Sequence, residues 1–284
     1  MRLVKQSMRP QFAAKLLVLL VLVALLGACS IFGSKRNQDD YLPVDALYNK
    51  AHGELQQSRY STSIQTYQRL IARFPSGNYN EHAQLDLAYA QYKDNKPDDA
   101  LSTINRFIKT YPANKHVDYA YYLRGLIDFD REGGFLERFL KLDDSQTRRD
   151  PAPFLQSFDD FSELSRRFPN GAYAADARLR MIYLRNQLAQ YEINIAEFYL
   201  RHRAFVAAAD RAQYVIEHYQ QAPQTGDALA LLTRSYLALN QDTLASQSRK
   251  VLALNYPDHP YLTDPKWPRA PSTVRKLIPF SGHH

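Results

Sequence analysis

The chain has 284 residues, of which 45% are hydrophobic and 23% charged, so it can bury a large core and is not disordered throughout. Its formal net charge is +7, but +4 of this comes from Arg2, Lys5, Arg9 and Lys15, in a leader that contains no acid. The remaining charge of about +3 is too small and too dispersed for a phosphate-binding surface, so nucleic acid is not an expected partner.

The chain opens with this basic leader and an apolar run, Leu16–Leu26, that no polar residue interrupts. As a helix, the run and the two small residues after it would extend about 20 Å, which is short of the roughly 30 Å hydrocarbon core of a bilayer. Residues 1–28 therefore predict an export signal peptide and not a membrane span.

The only cysteine of the chain, Cys29, comes directly after this segment. The string LGAC that ends at Cys29 resembles the lipobox of bacterial lipoproteins, which implies that the cysteine is acylated and becomes the new N terminus. Ser30 in place of an aspartate implies sorting to the outer membrane, on its periplasmic face. The alternative is a buried apolar thiol beside an ordinary cleavage site. Residues 29–41 have little to pack and predict a lipidated, flexible tether.

One pattern recurs between residues 42 and 257: an apolar helical stretch, an aromatic or large residue, a proline, and small or polar residues. It occurs in LIARFPSGNY, RFIKTYPANK, LSRRFPNGAY and VLALNYPDHP, and more weakly in VIEHYQQAPQ. Two of the intervals are close to the roughly 34 residues of a tetratricopeptide repeat, and two are longer. Helical periodicity is present throughout, and strand-like alternation is absent. The pattern predicts an all-α, right-handed tetratricopeptide-repeat solenoid of five helix pairs, with one concave and one convex face.

Three segments depart from the regular repeat. About twenty residues, 131–150, separate the two helices of the third unit, and such a long loop is either functional, mobile or a solvated excursion. The helical period continues across Gly171–Arg203, which predicts one unusually long or gently broken helix. Residues 258–284 form a Pro-rich tail that is either a strap for binding a partner or disordered.

Sequence motifs for catalysis or for cofactor binding are absent. The eight histidines include no zinc-binding spacing, and acidic doublets such as Asp143-Asp144 are typical of solvated surfaces. The chain also lacks a nucleophile elbow, a P-loop and a dinucleotide fingerprint. We therefore predict no metal site, no cofactor and no enzymatic activity.

Tyrosine is the residue type in excess, with 20 in the chain. Most tyrosines are expected to fill packing positions between helices, and the rest are predicted to line the concave groove and bind an extended or aromatic-ended peptide. Polar side chains on the inner face could pair with the peptide backbone. The candidate groove residues are Tyr48, Gln84, Tyr89, Tyr92 and Arg124.

Several longer strings carry a family resemblance between Cys29 and about Pro257. With the lipobox and the five repeats, RFPSGNYNEHAQLDLAYAQYK, DYAYYLRGLIDF, TRRDP, DFSELSRRFPNGAYAADA and LAQYEINIAEFY resemble the repeat lipoprotein family of the outer-membrane β-barrel assembly machine. The resemblance implies a periplasmic scaffold whose C-terminal units dock the POTRA domains of the barrel insertase and other lipoprotein subunits. It also implies that the N-terminal units receive C-terminal signals of unfolded β-barrel proteins. Arg201 and Arg203 are then candidates for contacting an acidic insertase surface.

Two other classes of protein were weighed against this interpretation. A repeat lipoprotein that assists pilus or secretin assembly would share the anchor and the solenoid, so it stays an open alternative. A cell-wall enzyme would need a catalytic glutamate in a lysozyme-like cleft, and the repeats leave no domain to hold one.

Overall fold

The computed structural model describes residues 41–131, 151–264 and 267–268. These residues form ten α-helices and no strand, which confirms the predicted all-α class and its five helix pairs. The helices are α1 Val44–Gln56, α2 Tyr60–Arg73, α3 Asn78–Lys93, α4 Pro97–Thr110, α5 Val117–Arg131, α6 Ala152–Arg167, α7 Ala174–Arg201, α8 Phe205–His218, α9 Thr225–Ala238 and α10 Asp242–Asn255. A short 3-10 helix, Pro260–Leu262, follows α10.

The chain divides into two compact units, residues 1–47 and residues 48–284. Residues 41–47 are the described part of the first unit, and they include the start of α1. The predicted signal peptide, the lipidation site Cys29, most of the tether, and insertion residues 132–150 lie outside the described residues. All contacts reported below lie within the second unit.

Each helix from α2 to α9 packs against the next helix in the chain. The first helices of neighbouring pairs also meet, since α3 contacts α5 and α7 contacts α9. Amphipathic spacing explains this packing. In α4 the buried side chains are Ala100, Thr103, Ile104 and Phe107, which lie on one face of the helix.

The recurring aromatic residues of the sequence pattern mark the ends of the second helices. In each pair the backbone N–H of the aromatic residue just after the helix donates to the carbonyl oxygen four residues earlier. These residues are Phe74, Tyr111, Phe168, Tyr219 and Tyr256. A proline after four of them disfavours further helix. Tyr219 makes the same hydrogen bond although Gln220 follows it.

The turns inside four of the pairs share a left-handed residue. Ser58, Asn95, Arg203 and Asn240 have φ values of 58°, 57°, 61° and 58°. In the third pair, the insertion takes the place of this turn. The long helix predicted across residues 171–203 is confirmed as α7, which has 28 residues and ends at Arg201. Arg203 therefore belongs to the turn after α7 and not to the helix.

Small residues allow α5 and α6 to approach closely. A Cβ atom added at Gly125 would lie 2.7 Å from Cε1 of Phe161, a distance that packed atoms do not adopt. The Oγ of Ser157 donates a hydrogen bond of 2.9 Å to the carbonyl oxygen of Gly125. Ser63 makes the corresponding bond to Ala51 in the first pair, also at 2.9 Å. The glycine and the serines therefore set the spacing within these pairs.

Candidate peptide-binding surface

Hydrogen bonds between tyrosine and aspartate join the first helices of successive pairs. In each case a phenol O–H on one first helix donates to a carboxylate on the first helix of the next pair. The bonds are Tyr48 to Asp86 at 2.9 Å, Tyr92 to Asp130, and Tyr122 to Asp176 at 2.6 Å. These bonds therefore form one series from α1 through α3 and α5 to α7.

Aromatic rings cover the same first helices. Tyr48 lies 5.5 Å from Tyr79 and 6.5 Å from His82, measured between ring centroids. Further along, Tyr173 lies 5.6 Å from Tyr119 and stacks on Tyr122 at 4.7 Å. The rings of Tyr89 and Tyr92 are 6.3 Å apart on α3. We call Tyr48, Tyr79, His82, Tyr89, Tyr92, Tyr119, Tyr122 and Tyr173 the aromatic band.

In the Tyr–Asp series, the electrostatics favour the protonated phenol of Tyr48 and the ionised carboxylate of Asp176. Burial raises the pKa of Tyr48, and the nearby charge of Asp86 raises it further. For Asp176, burial is the largest influence and acts to raise the pKa, but hydrogen bonds from Tyr122 and Arg180 lower it overall. Since these hydroxyls are already committed to carboxylates, the surface offers a peptide mainly ring faces and carboxylate oxygens.

Three of the five predicted groove residues belong to the aromatic band. Tyr48, Tyr89 and Tyr92 are all partly exposed, and Tyr89 and Tyr92 pack at the edge of a core cluster formed by α3, α4 and α5. The structure places all three on first helices, Tyr48 on α1 and Tyr89 and Tyr92 on α3. Their contact with a substrate stays a prediction.

Gln84 is buried and does not belong to the accessible surface. Its side chain is 6% exposed, and its Nε2 donates a hydrogen bond of 2.6 Å to Oδ1 of Asn80. The Oε1 of Gln84 is buried without a hydrogen-bond partner in the described residues. The predicted contact between Gln84 and a peptide backbone would therefore require local rearrangement of α3.

Arg124 lines a cavity between α4, α5 and α6. Its guanidinium contacts Oδ1 of Asp160 at 2.6 Å and Oδ1 of Asn105 at 3.2 Å, and it lies 5.1 Å from the ring centroid of Tyr121. Within the described residues, none of its polar or ring contacts involves the aromatic band. Arg124 and Tyr48, which the sequence assigns to one groove, therefore lie at two separate sites.

The cavity beside Arg124 has a volume of about 600 Å³ and is lined largely by polar and charged groups. Burial raises the pKa of Asp160 to about 6, although the Arg124 charge opposes the shift. Burial also raises the pKa of Asp128, which lines the same cavity. One oxygen of Asp160 has no hydrogen-bond partner among the described residues. The cavity is thus an open pocket between α4 and the third pair, with buried carboxyl groups in its wall.

Arg201 and Arg203 lie at the exposed end of α7. Arg201 is the last residue of the helix, where a positive charge interacts favourably with the helix dipole. It also pairs with Glu197 one turn earlier, with a nitrogen to oxygen distance of 3.2 Å. Arg203 is exposed in the following turn. Contact of either residue with an insertase stays a prediction.

Neither a metal site nor a membrane-spanning helix is found within the described residues. No group of three or more histidine, cysteine, aspartate or glutamate side chains there could hold a metal ion. Among the helices of the described residues, none is both long and apolar enough to cross a bilayer.

Comparison with known proteins identifies the family. Residues 41–264 match the family described as YfiO, outer membrane lipoprotein. The chain belongs to the YfiO outer membrane lipoprotein family. It is 45% identical over 277 residues to the outer membrane protein assembly factor BamD of Xylella fastidiosa Temecula1, with 96% of this chain and 94% of that protein covered. It is 38% identical over 254 residues to BamD of Neisseria meningitidis serogroup B, with 88% and 94% covered. These matches confirm the family resemblance drawn from the sequence strings.

The aspartates of the Tyr–Asp series were not among the residues predicted from the sequence. Asp86 and Asp130 each follow their tyrosine by 38 residues, close to the length of one repeat. This recurring separation is the sequence signal from which the tyrosine–aspartate pairs could have been predicted. The insertion lengthens it to 54 residues between Tyr122 and Asp176, which hides the third member of the series.

Proposed function

We propose that this YfiO-family chain is a lipid-anchored adaptor on the periplasmic face of the outer membrane, where it assists the assembly of β-barrel proteins. The observation that carries the proposal is the 45% identity, over 96% of the chain, with a relative named as an outer membrane protein assembly factor. The curated relatives favour this function over pilus or secretin assembly. Its action would be binding without catalysis.

The domain organisation fits an anchored adaptor. In this proposal, residues 1–28 direct export, acylated Cys29 holds the chain in the outer membrane, and residues 29–41 act as a tether. Residues 42–257 are the repeats that bind other proteins, and residues 258–284 are the tail. An acyl anchor of two or more chains gives lasting membrane attachment, which confines encounters between adaptor and partners to the membrane surface.

The aromatic band is the surface that we assign to unfolded β-barrel substrates. Tyr48, Tyr89 and Tyr92 present partly exposed rings, and their neighbours extend the apolar surface along α3 and α5. An aromatic residue at the end of a substrate strand can pack against such rings at low entropic cost. The carboxylates of the series can accept hydrogen bonds from backbone N–H groups that an unfolded strand leaves free.

The C-terminal pairs are the region that we assign to partner proteins of the assembly machine. Arg201 and Arg203 place two positive charges at one exposed turn, which suits an acidic patch on a POTRA domain of the barrel insertase. Other lipoprotein subunits of the complex would bind this adaptor as well.

Site-specific photo-crosslinking tests the substrate surface. A crosslinker in place of Tyr89 is expected to capture an unfolded β-barrel protein during its export. The matched control is a crosslinker in place of Tyr214, which is 38% exposed on the second helix α8. Equal capture from both positions, or none from Tyr89, would contradict the assignment of the band.

A second test concerns the anchor and the partners. The Cys29→Ser variant is expected to leave the membrane fraction, whereas Ser30→Ala is expected to stay there. Affinity purification of the anchored protein should recover the barrel insertase, and recovery should fall for Arg201→Glu but not for Arg178→Glu. Recovery of a secretin in place of the insertase would favour the alternative function.

A further inference from the structure

The last helix, α10, has an apolar stripe that no other helix of the described residues covers. Its buried side chains are Ala245, Ser248 and Leu252, all directed towards α9. Leu244, Val251 and Leu254 are 41%, 44% and 72% exposed. Because a helix turns by about 100° per residue, these three side chains lie within about 80° of one another. We call them the α10 stripe.

Clustered apolar side chains on the last helix of a repeat array are unusual. Terminal repeats normally carry a polar outer face, because nothing stacks beyond them. A single exposed leucine would need no explanation, but three on one side of a short helix indicate a surface that is covered in the working protein.

The chain beyond α10 folds back on α9 and α10. Tyr261 of the 3-10 helix is only 3% exposed and joins a core cluster with Leu229 and Leu252. Arg249 of α10 lies 5.7 Å from the centroid of the Tyr261 ring. These contacts hold the first part of the predicted tail, residues 258–262, against the last helix pair.

Trp267, at the end of the described residues, also packs against the last helix pair. Its ring lies 4.8 Å from that of His259, and its carbonyl oxygen accepts a hydrogen bond of 2.6 Å from Arg234 of α9. His259 is itself bonded to Asp227 of α9 at 3.0 Å. The remaining sixteen residues, 269–284, therefore start from a fixed place beside α9 and α10.

The apolar side chains in residues 269–284 make this segment suitable for covering an apolar stripe. These residues contain Val274, Leu277, Ile278 and Phe280, three basic residues and no acid. Fully extended, they reach about 50 Å, whereas a helix of 14 residues such as α10 is about 21 Å long.

We propose that residues 274–280 of this chain pack on the α10 stripe and close the end of the repeat array. The attachment at Trp267 gives the segment an effective concentration of about millimolar at the stripe, so modest contacts suffice to hold it there. The tail thus acts as the capping element that the sequence of α10 lacks. This inference is independent of the function assigned to the aromatic band.

Cysteine pairs test the proposed contact directly, because Cys29 is the only native cysteine. In the full chain with Cys29→Ser, the pair Val251→Cys and Ile278→Cys is compared with the pair Ala253→Cys and Ile278→Cys. Ala253 is exposed on the same helix but lies on the other side, about 200° from Val251. Dilute protein is oxidised gently, and the formation of intrachain disulfide is followed by gel mobility.

The Val251 pair is expected to form the intrachain disulfide at least about tenfold faster than the Ala253 pair. Equal rates in the two pairs would overturn the proposal, because the tail would then have no preferred place. Disulfides that join two chains would also overturn it, since the stripe would then be covered by a second copy.

Hydrogen exchange provides a readout without added cysteines. The triple variant Leu277→Asp, Ile278→Asp and Phe280→Asp changes only the tail of the full chain. Amides of α10 around Val251 are expected to exchange about tenfold faster in this variant, because three apolar side chains lose their cover. Exchange in α8 should not change, which shows that the fold is intact. Unchanged exchange in α10 would contradict the proposal.

Discussion

The third helix pair and the fourth pair bury different kinds of side chain. The cluster around α5 and α6 contains Tyr121, Phe129 and Phe161, with further aromatic residues packed against it. The cluster around α7, α8 and α9 contains Ala189, Ala196, Ala208, Ala209, Ala212, Ala222 and Ala228. Alanine lets helix backbones approach closely and evenly, whereas large rings interlock at a few points.

The third pair therefore has an irregular surface, whereas the fourth pair is a regular scaffold. A cavity of about 600 Å³ lies between α4 and the third pair and is lined by two buried aspartates, Asp128 and Asp160. The Tyr–Asp series also ends at the start of α7. The cavity and the aromatic band that we assign to substrates thus precede the alanine-rich core of α7, α8 and α9. Four changes, ordered by expected effect, test this comparison.

Truncation of Phe161 should have the largest effect on stability. The ring is fully buried between α5 and α6 and contacts Tyr122 and Phe129. Phe161→Ala should lower the free energy of unfolding by about 3 to 5 kcal/mol, because a cavity replaces the ring. Urea denaturation measures the change. Leu155→Ala, at a position 43% exposed on the same helix, should change it by less than about 1 kcal/mol. Equal effects would refute the interlocking role of the ring.

Removal of the buried charge at Asp160 should change the pH dependence of stability. Burial raises the pKa of this carboxyl to about 6 in the folded protein, above its value near 4 in the unfolded chain. Between these values the folded state holds a proton that the unfolded state releases, so stability falls as pH rises from about 4 to 6. The loss amounts to about 3 kcal/mol.

The Asp160→Asn variant should lack this loss. Urea denaturation at pH 4.5 and at pH 7 gives the comparison, and the difference between the two pH values should be smaller in the variant than in the native protein. Asp159→Asn, an exposed neighbour, should keep the native pH dependence. A variant at position 160 that keeps it as well would show that the carboxyl titrates normally in the folded state.

Much of the fold is predictable because it depends on local spacing. The aromatic-proline pattern marks the helix ends because proline restricts the residue before it, and small residues mark the places where helices touch. Gly125 and Ser157 are two such small residues, and both lie where α5 meets α6. The long α7 follows from an unbroken helical period.

The candidate site was harder to predict because its contacts depend on several helices at once. A helical wheel places Gln84 and Gln91 on one face, but α3 packs against α2, α4 and α5, and both side chains are buried. Arg124 is directed by Asp160, which lies beyond the insertion and has no signal in the local sequence. Periodicity within one helix does not indicate which of its faces the neighbouring pairs leave open.

The close approach at Gly125 can be tested by adding one methyl group. Gly125→Ala should destabilise the protein by about 1 to 3 kcal/mol, because its Cβ would overlap the buried Phe161 ring. Gly53→Ala in α1 is the matched control, since no atom lies within 4 Å of the added Cβ. That change should raise stability by about 0.5 to 1 kcal/mol through the better helix propensity of alanine. Destabilisation by both changes would argue against a specific contact at Gly125.

Removal of one hydrogen bond from the Tyr–Asp series should have the smallest effect on stability of the four changes. Tyr122→Phe keeps the ring that stacks on Tyr173 and removes only the O–H that donates to Asp176. The expected loss of stability is about 1 kcal/mol, since hydrogen bonds that replace bonds to water contribute modestly. Tyr199→Phe in α7 is the control from the alanine-rich region and should have almost no effect.

A second change at Asp176 shows whether this small loss belongs to the hydrogen bond. If it does, Tyr122→Phe should cost almost no stability in a chain that already carries Asp176→Asn. The small remaining loss would reflect the weaker hydrogen bond that the introduced amide oxygen can accept. An undiminished loss in that background would mean that the phenol acts through another contact, such as the one with Arg180, and not through the aspartate. The series would then be a by-product of close helices. A vanishing loss would instead show that the Tyr122–Asp176 bond itself joins α5 to α7, so that the same test could be applied to the bonds of Tyr48 and Tyr92.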